Sequence, residues 1–459
     1  MAFARDGGSR VGNGKKDKYF AFATEIGRSL GRFALGILVA RAADTDAYAG
    51  YVLLLTAEVV VQAFCSSLWV TPMLSLAPGM DEPQRSRLIA FATQRNWVGG
   101  AIASLTLLLL MPIAGDEGVS TAHFLAFALG LFLWNGTAGV RARLQGTFQS
   151  KGVLYADVFW TLISVGGVGV AYLLDWDILL WFWLSRAVGC VVAVAWMTRA
   201  APVPVADEAP DVERFNVMGR DMAFGSLANS ACARSQPFVL AAVAAPAQLA
   251  AFGAATALVG PIRMAAVALS GVLRPRLALH FGRGDRKSGW NAVVRASAML
   301  GGGGSLGIVL ALLIGDTMAE FALGERFATL GGILAWAVAY STIASINATL
   351  VVAIQIADSA RTTAAMRLGA AILSMALVVP LAMTHGAVGA FASLVIAEVG
   401  YTAVGLWRLR NVEQRVRSSS GQPSDPPETS PQSTAERSSV EPSGEDAADQ
   451  QPSVESGAQ

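Results

Sequence analysis

The sequence predicts an all-α, polytopic membrane protein of about twelve transmembrane helices in two parallel six-helix repeats. Three observations carry this expectation. Apolar runs of about twenty residues recur along the chain, the length a helix needs to cross a bilayer. Lys and Arg crowd into alternate loops. The two halves of the chain superimpose at one fixed offset.

Composition sets the class. The chain is 54% hydrophobic and only 15% charged, where soluble domains run at about 25% charged. The net charge of +1 hides a split, because the segment from Ser418 to Gln459 carries −7 and the remainder +8. A basic body suits an anionic leaflet. Its basic residues sit in short loops, so no nucleic acid is expected as a partner. Cys65, Cys190 and Cys232 lie inside apolar segments without metal-ligand spacing, and His123, His280 and His385 are isolated. No metal site, cofactor or catalytic residue is expected. The stretch Gly8 to Lys16 lacks the spacing of a phosphate loop, which argues against direct ATP use.

Residues 1–18 form a polar, basic tail. Glu25, Arg28 and Arg32 then interrupt any signal-peptide core, so the segment is read as a retained helix. The expected spans are 19–41, 46–72, 93–115, 120–140, 153–174 and 177–198 in a first bundle, 19–198. A linker, 199–218, leads to 219–244, 247–273, 291–315, 327–355, 362–383 and 386–408 in a second bundle, 219–410. Helices are expected because lipid leaves no other partner for the backbone. Residues 411–459, rich in Ser, Pro, Glu and Gln, cannot bury enough apolar surface to fold alone and read as a disordered tail.

Loop charge tests the count. With a cytoplasmic N-terminus, the loops and helix ends expected inside hold basic residues such as Arg85, Arg87, Arg141, Arg143, Arg274, Arg276, Arg361, Arg367 and Arg408. Those expected outside hold Asp44, Asp46, Asp116, Asp175, Asp177, Asp316 and Glu325, with Arg41 and Arg326 as the basic exceptions. Both termini are therefore expected in the cytoplasm.

The repeat has an offset of 203 positions, which relates Gly50 to Gly253, Pro72 to Pro275 and Gly79 to Gly282. Both halves start on the same side, so the repeat axis lies along the membrane normal. Such halves commonly enclose a central cavity.

A charge in hydrocarbon costs about 2.5–3.5 kcal/mol and marks a functional position by default. Glu25, Arg28 and Arg32 stand at i, i+3 and i+7, one stripe of one helix. Arg234 and Arg263 lie in the seventh and eighth spans, Arg186 in the sixth, Glu58 in the second and Glu398 in the last. Arginine offers a planar fork of donors that stays charged and suits phosphate. Arg28, Arg32, Arg234 and Arg263 are thus the expected binders of an anionic, phosphate-bearing substrate. Glu25, Glu58 and Glu398 are the candidates for ion coupling. The alternative for each charge is an interhelical pair. Arg186 is a weaker candidate, because its long stem could lift its charge toward the outer surface. Asn229, Ser230, Ser235, Gln236, Asn347 and Thr349 read as a polar path or as interhelical hydrogen bonds. Pro237 and Pro261 are expected to kink their helices. The run Gly301 to Gly304 is expected to allow close helix packing.

The segment Arg32 to Tyr51 resembles the first helix pair of Wzx-type polysaccharide flippases of the multidrug/oligosaccharidyl-lipid/polysaccharide exporter superfamily. The likeness rests on Ala40-Arg41, the turn Asp44 to Asp46, and Tyr48 to Gly50, with Trp69 to Leu74 closing the second helix. It implies a MATE-like fold and a flippase for an undecaprenyl-diphosphate-linked oligosaccharide in the bacterial inner membrane. The expected partners are then that lipid-linked substrate, membrane lipids, and a polysaccharide polymerase with its chain-length proteins. Related flippases place cavity arginines in helices 1, 2 and 8. Arg28, Arg32 and Arg263 match in helices 1 and 8, and helix 2 has none. The rival readings are a multidrug or metabolite antiporter of the same superfamily, a membrane glycosyltransferase or polymerase-ligase, and a scaffold acting through the tail.

Overall fold

The computed structural model describes residues 14–77, 80–114, 120–146, 150–200, 212–263, 277, 286–357 and 360–420. The second part of the expected helix 8, most of the loop after it, residues 201–211 and the tail beyond Ser420 lie outside the described residues. The chain divides into a unit of residues 1–412 and another of 413–459. The first holds everything below.

Helices follow one another in the expected order. They are α1 (Gly14–Ala42), α2 (Thr45–Cys65), α3 (Thr71–Leu76), α4 (Glu82–Ala114), α5 (Thr121–Gly146), α6 (Ser150–Leu173) and α7 (Ile178–Ala200). The second half has α8 (Glu213–Arg234), α9 (Gln236–Val243), α10 (Pro246–Leu258), α11 (Arg286–Leu323), α12 (Gly331–Ala357) and α13 (Ala360–Ser420). There is no strand among the described residues. Seven of the described helical stretches are long and apolar enough to cross a membrane, and the last of them, Thr362–Arg408, doubles back on itself. The protein is a multi-pass membrane protein. The charged α1 and the interrupted helices α8 to α10 fall short of that measure because of the features that make them interesting.

Several expected spans are broken or extended. A π-helical segment, Ser66–Val70, joins α2 to α3, so the second span bends near its end. Pro237 has no N–H for the carbonyl one turn back, and the expected seventh span breaks at Ser235 into α8 and α9. The eighth is interrupted at Val259, two residues before Pro261, and resumes over residues 260–263. The eleventh and twelfth are the two legs of α13, which turn at Gly386 with φ 55°. That left-handed conformation suits glycine. Three residues on, a Cβ at Gly389 would stand 1.8 Å from the Leu381 carbonyl oxygen, so the two legs meet backbone to backbone. Gln248 of α10 accepts the Ala387 N–H at 2.9 Å and pins this turn.

Within the first half, α1 packs on α6, α4 on α5, and α7 on α5 and α6. In the second, α11 and α12 form the main pair, with Gly304 against Thr342 where the glycine run lets them approach. The helix α2 is different. It packs chiefly on α8 and α10 of the other half, with Gly253 receiving the Val52 side chain.

The end of the bundle that carries the α1–α2 turn, here the first-loop end, is tied across the halves. A 3-10 turn, Glu325–Phe327, projects Arg326 onto the end of α1, where its guanidinium donates to the carbonyls of Ala43 and, at 3.3 Å, Arg41. These are among the carbonyls a helix end leaves without partners. Phe327 meets Tyr48 edge-on at 5.8 Å between centroids. In the first half, His123 joins α5 to the start of α7 by a 2.8 Å contact with Asp177. Partial burial works to raise the Asp177 carboxyl, but the Leu180 amide and the His123 ring outweigh it and hold it below its ordinary value.

Two outcomes follow for stability. Gly389→Ala should destabilise the fold by about 1–3 kcal/mol, as overpacking does, while Gly166→Ala, whose Cβ meets nothing within 4 Å, should leave thermal melting in detergent unchanged. Equal melting curves would refute the tight turn. A carboxyl with a depressed folded value stabilises above its unfolded pKa of about 3.9 and loses that contribution as pH falls through the folded value. Asp177→Asn should therefore melt below wild type at neutral pH, and the gap should close as pH falls below the ordinary carboxylate value of about 3.9.

Candidate functional site

Intramembrane arginine is the residue type to account for, and the two halves treat it differently. In the first half, Arg186 of α7 and Glu58 of α2 form a bidentate pair at 2.6 and 2.7 Å. Arg186 is 4% exposed and Glu58 2%. The guanidinium also lies 5.1–5.7 Å from the ring centroids of Phe182, Trp183, Trp134 and Trp160, an aromatic box suited to a cation. The expectation that the stem of Arg186 lifts its charge outward is thus corrected. A partner acid on another helix holds the charge in place.

Arg32 of α1 lies over the other side of this assembly. Its guanidinium stands 4.8 Å from the Trp134 ring and reaches Gln62 Oε1 at 3.5 Å. It feels the charges of Arg28, Glu58, Arg186 and Arg141. Arg141 itself pairs with Asp157 at 3.2 Å. Four arginines therefore gather around two carboxylates in this half. Arg28 and Arg32 are both half-buried, on the stripe of α1 that the sequence marks. Glu25 lies in α1, with its side chain outside the described residues.

In the second half, Arg234 is the last residue of α8, at the break before Pro237. Arg263 lies just past the interruption at Val259. The two are close enough for their charges to repel, and Tyr340 is a further neighbour of Arg234. Neither Arg234 nor Arg263 takes part in an ion pair among the described residues. Arg234 does face the carbonyl end of α8, where a helix dipole favours a cation. Discontinuous helices of this kind are a usual way to build an ion or substrate site at membrane depth.

The helix α1 crosses the end of α10. Ala257 lies beside Gly36, and a Cβ at Gly260 would touch Phe33 at 3.8 Å. Arg32 precedes Phe33, and Arg263 is one helical turn from Gly260. Arg28 and Arg32 thus lie with the Glu58–Arg186 assembly of the first half, and Arg234 and Arg263 lie together in the second.

The other acid, Glu398, is also engaged. It accepts from Arg367 at 2.6 Å and from Asn347 Nδ2 at 2.6 Å, and Thr402 donates to Asn347 Oδ1 at 2.8 Å. Gln236 donates to Ser374 at 2.9 Å, and Thr349 meets Ser297 at 3.1 Å. These uncharged groups are interhelical ties. Sequence reasoning missed Arg367 as a partner because the residue stands near a helix end and reads as loop charge.

No family model and no curated protein matches the sequence. Solved structures match over most of its length. An inward-facing multidrug resistance MATE family transporter of the MOP superfamily aligns with a TM-score of 0.71 at 13% identity, covering 85% of this chain and 96% of that one. The chain has the MATE fold. The lipid II flippase MurJ, in an inward closed conformation, aligns at 0.66 and 13% identity over 86% and 87% of the two chains. An outward-facing MATE family transporter aligns at 0.58 and 16% identity over 88% and 97%. These neighbours are transporters and flippases, not enzymes.

The buried pair gives a direct test. Glu58→Ala or Arg186→Ala leaves one charge stranded and should cost about 3–5 kcal/mol, while replacing both with methionine should recover most of it. Denaturant unfolding in detergent measures this. Additive losses in the double variant would show that the two residues do not act as a pair.

Proposed function

We propose that this protein is a flippase that moves an undecaprenyl-diphosphate-linked oligosaccharide across the bacterial inner membrane, by alternating access, for envelope polysaccharide synthesis. One observation supports this reading above the others. Arg234 and Arg263 stand close together at two helix breaks without an acidic partner among the described residues. Two repelling guanidinium groups are costly to hold in a membrane unless an anion joins them. A diphosphate supplies two charges and a row of acceptors that fit the forks of arginine. The polyprenyl tail stays in the bilayer while the head group enters between the halves.

The diphosphate binds with Arg234 and Arg263 on one side and Arg28 and Arg32 on the other, drawing the halves together. Opening of the first-loop end then requires release of Arg326 from α1. Coupling to an ion gradient through Glu58 or Glu398 would require each to leave its arginine, while Glu25 belongs to the substrate stripe itself. Both termini lie in the cytoplasm, and the polymerase and chain-length proteins receive the product outside. A multidrug antiporter has the same fold, but cationic drugs would meet repulsion from these arginines.

Arg234→Ala and Arg263→Ala should reduce polymer export more than tenfold, the effect of losing an interaction of at least about 1.4 kcal/mol, at unchanged protein level. The lysine variants should retain part of the activity, since lysine keeps the charge and loses the fork. Depletion of the protein should make lipid-diphosphate-linked repeat units accumulate on the cytoplasmic face. Normal polymer from a well-expressed alanine variant refutes the reading.

A further inference from the structure

The two legs of α13 leave a groove of about 640 Å³ between them, on a part of the second half remote in sequence from the four arginines. Its chemistry is graded along its length. Thr362, Trp407 and Arg408 line one end, and Leu373 and Ala397 the other. The legs run antiparallel, so the polar residues of both meet at the end away from Gly386. From Arg408 to Ala397 the helix rises about 16 Å.

Arg408 stacks on Trp407, its guanidinium 5.5 Å from a ring that is 58% exposed. It joins no ion pair among the described residues. Tyr401 lines the middle of the groove, is only 2% exposed, and its hydroxyl has no hydrogen-bond partner. Its ring is held from behind by Arg367, at 4.3 Å. Tyr401 and Arg408 are seven residues apart, hence on one face of the leg and about 10 Å apart along it.

We propose that this groove is a binding site for one anionic phospholipid of the leaflet at that end. The phosphate sits on Arg408 beside Trp407, and one acyl chain runs past Tyr401 toward Leu373 and Ala397. The match is one of order and charge: cation and indole at one end, then apolar wall. A lone apolar groove would accept any chain. The cation at its end selects an amphiphile with an anionic head. The site is independent of the transport reading above, because none of Arg28, Arg32, Arg234 and Arg263 lines it.

Gly369 supplies the test. It lines the groove, and a Cβ added there meets nothing within 4 Å. Gly369→Leu therefore fills the groove without disturbing the helix pair, and leucine is the better helix former. The full-length protein is reconstituted in nanodiscs containing equal phosphatidylglycerol and phosphatidylcholine, released, and weighed by native mass spectrometry. Wild type should retain one phosphatidylglycerol, several-fold over phosphatidylcholine. Arg408→Ala should erase the preference, and Gly369→Leu should abolish retention with unchanged thermal melting. Equal retention by wild type and a folded Gly369→Leu, or no preference for phosphatidylglycerol in wild type, overturns the proposal.

Discussion

The bidentate contact between Glu58 and Arg186 decides where α2 belongs. That helix lays most of its surface on α8 and α10, in the other half of the molecule. The paired charges tie it back to α7. Removing two charges from water costs several kcal/mol per ion, and only close, well-directed bonds offset it. Here two short bonds and four aromatic faces do so. Because breaking the pair is expensive, α2 is bound to move with α7. Sliding between the halves is then expected on the α2–α10 contact, where Gly253 and Val52 meet, and not within the first half.

The second half is built on the opposite principle. Its helices break near prolines, and its intramembrane arginines, Arg234 and Arg263, stand at the breaks instead of inside a cage of acids. A helix break exposes carbonyls to which a guanidinium can turn, a partial charge in place of a full one. Such an arrangement holds a cation loosely enough for another anion to compete. The two repeats share a topology, yet the first pairs Arg186 with Glu58 and Arg141 with Asp157, while in the second Arg367 pairs with Glu398 and Arg234 and Arg263 join no ion pair among the described residues.

Much of this was legible in the sequence. Hydrophobic length and the side preference of Lys and Arg report on the solvent each segment meets, so the order of spans and the break at Pro237 could be read directly. Helix ends could not. The helix α4 begins at Glu82 and α13 continues to Ser420, because a helix persists in water where hydropathy signals only the end of the membrane. The arginine stripe of α1 was visible as a period within one helix. The partners of Arg186 and Arg367 were not, since one acid lies on another helix and the other on the opposite leg of α13, 128 and 31 positions away. No local pattern carries that information. The turn at Gly386 was placed correctly as a boundary, but its close backbone approach is a property of the packed pair.

In the proposed alternating-access cycle, the contact of Arg326 with the end of α1 would give water a part. Those carbonyls are answered by a guanidinium only while the halves touch. When they separate, the carbonyls and the cation each lose a partner in one step, and solvent must replace both. A hydrogen bond to a charged donor is worth about 1.5–3 kcal/mol, so a dry opening is disfavoured and a wet one nearly neutral. Admission of water at that surface would then be the condition for opening, not its result. The first molecules to enter between the halves from that side would be the ones that replaced Arg326 on α1.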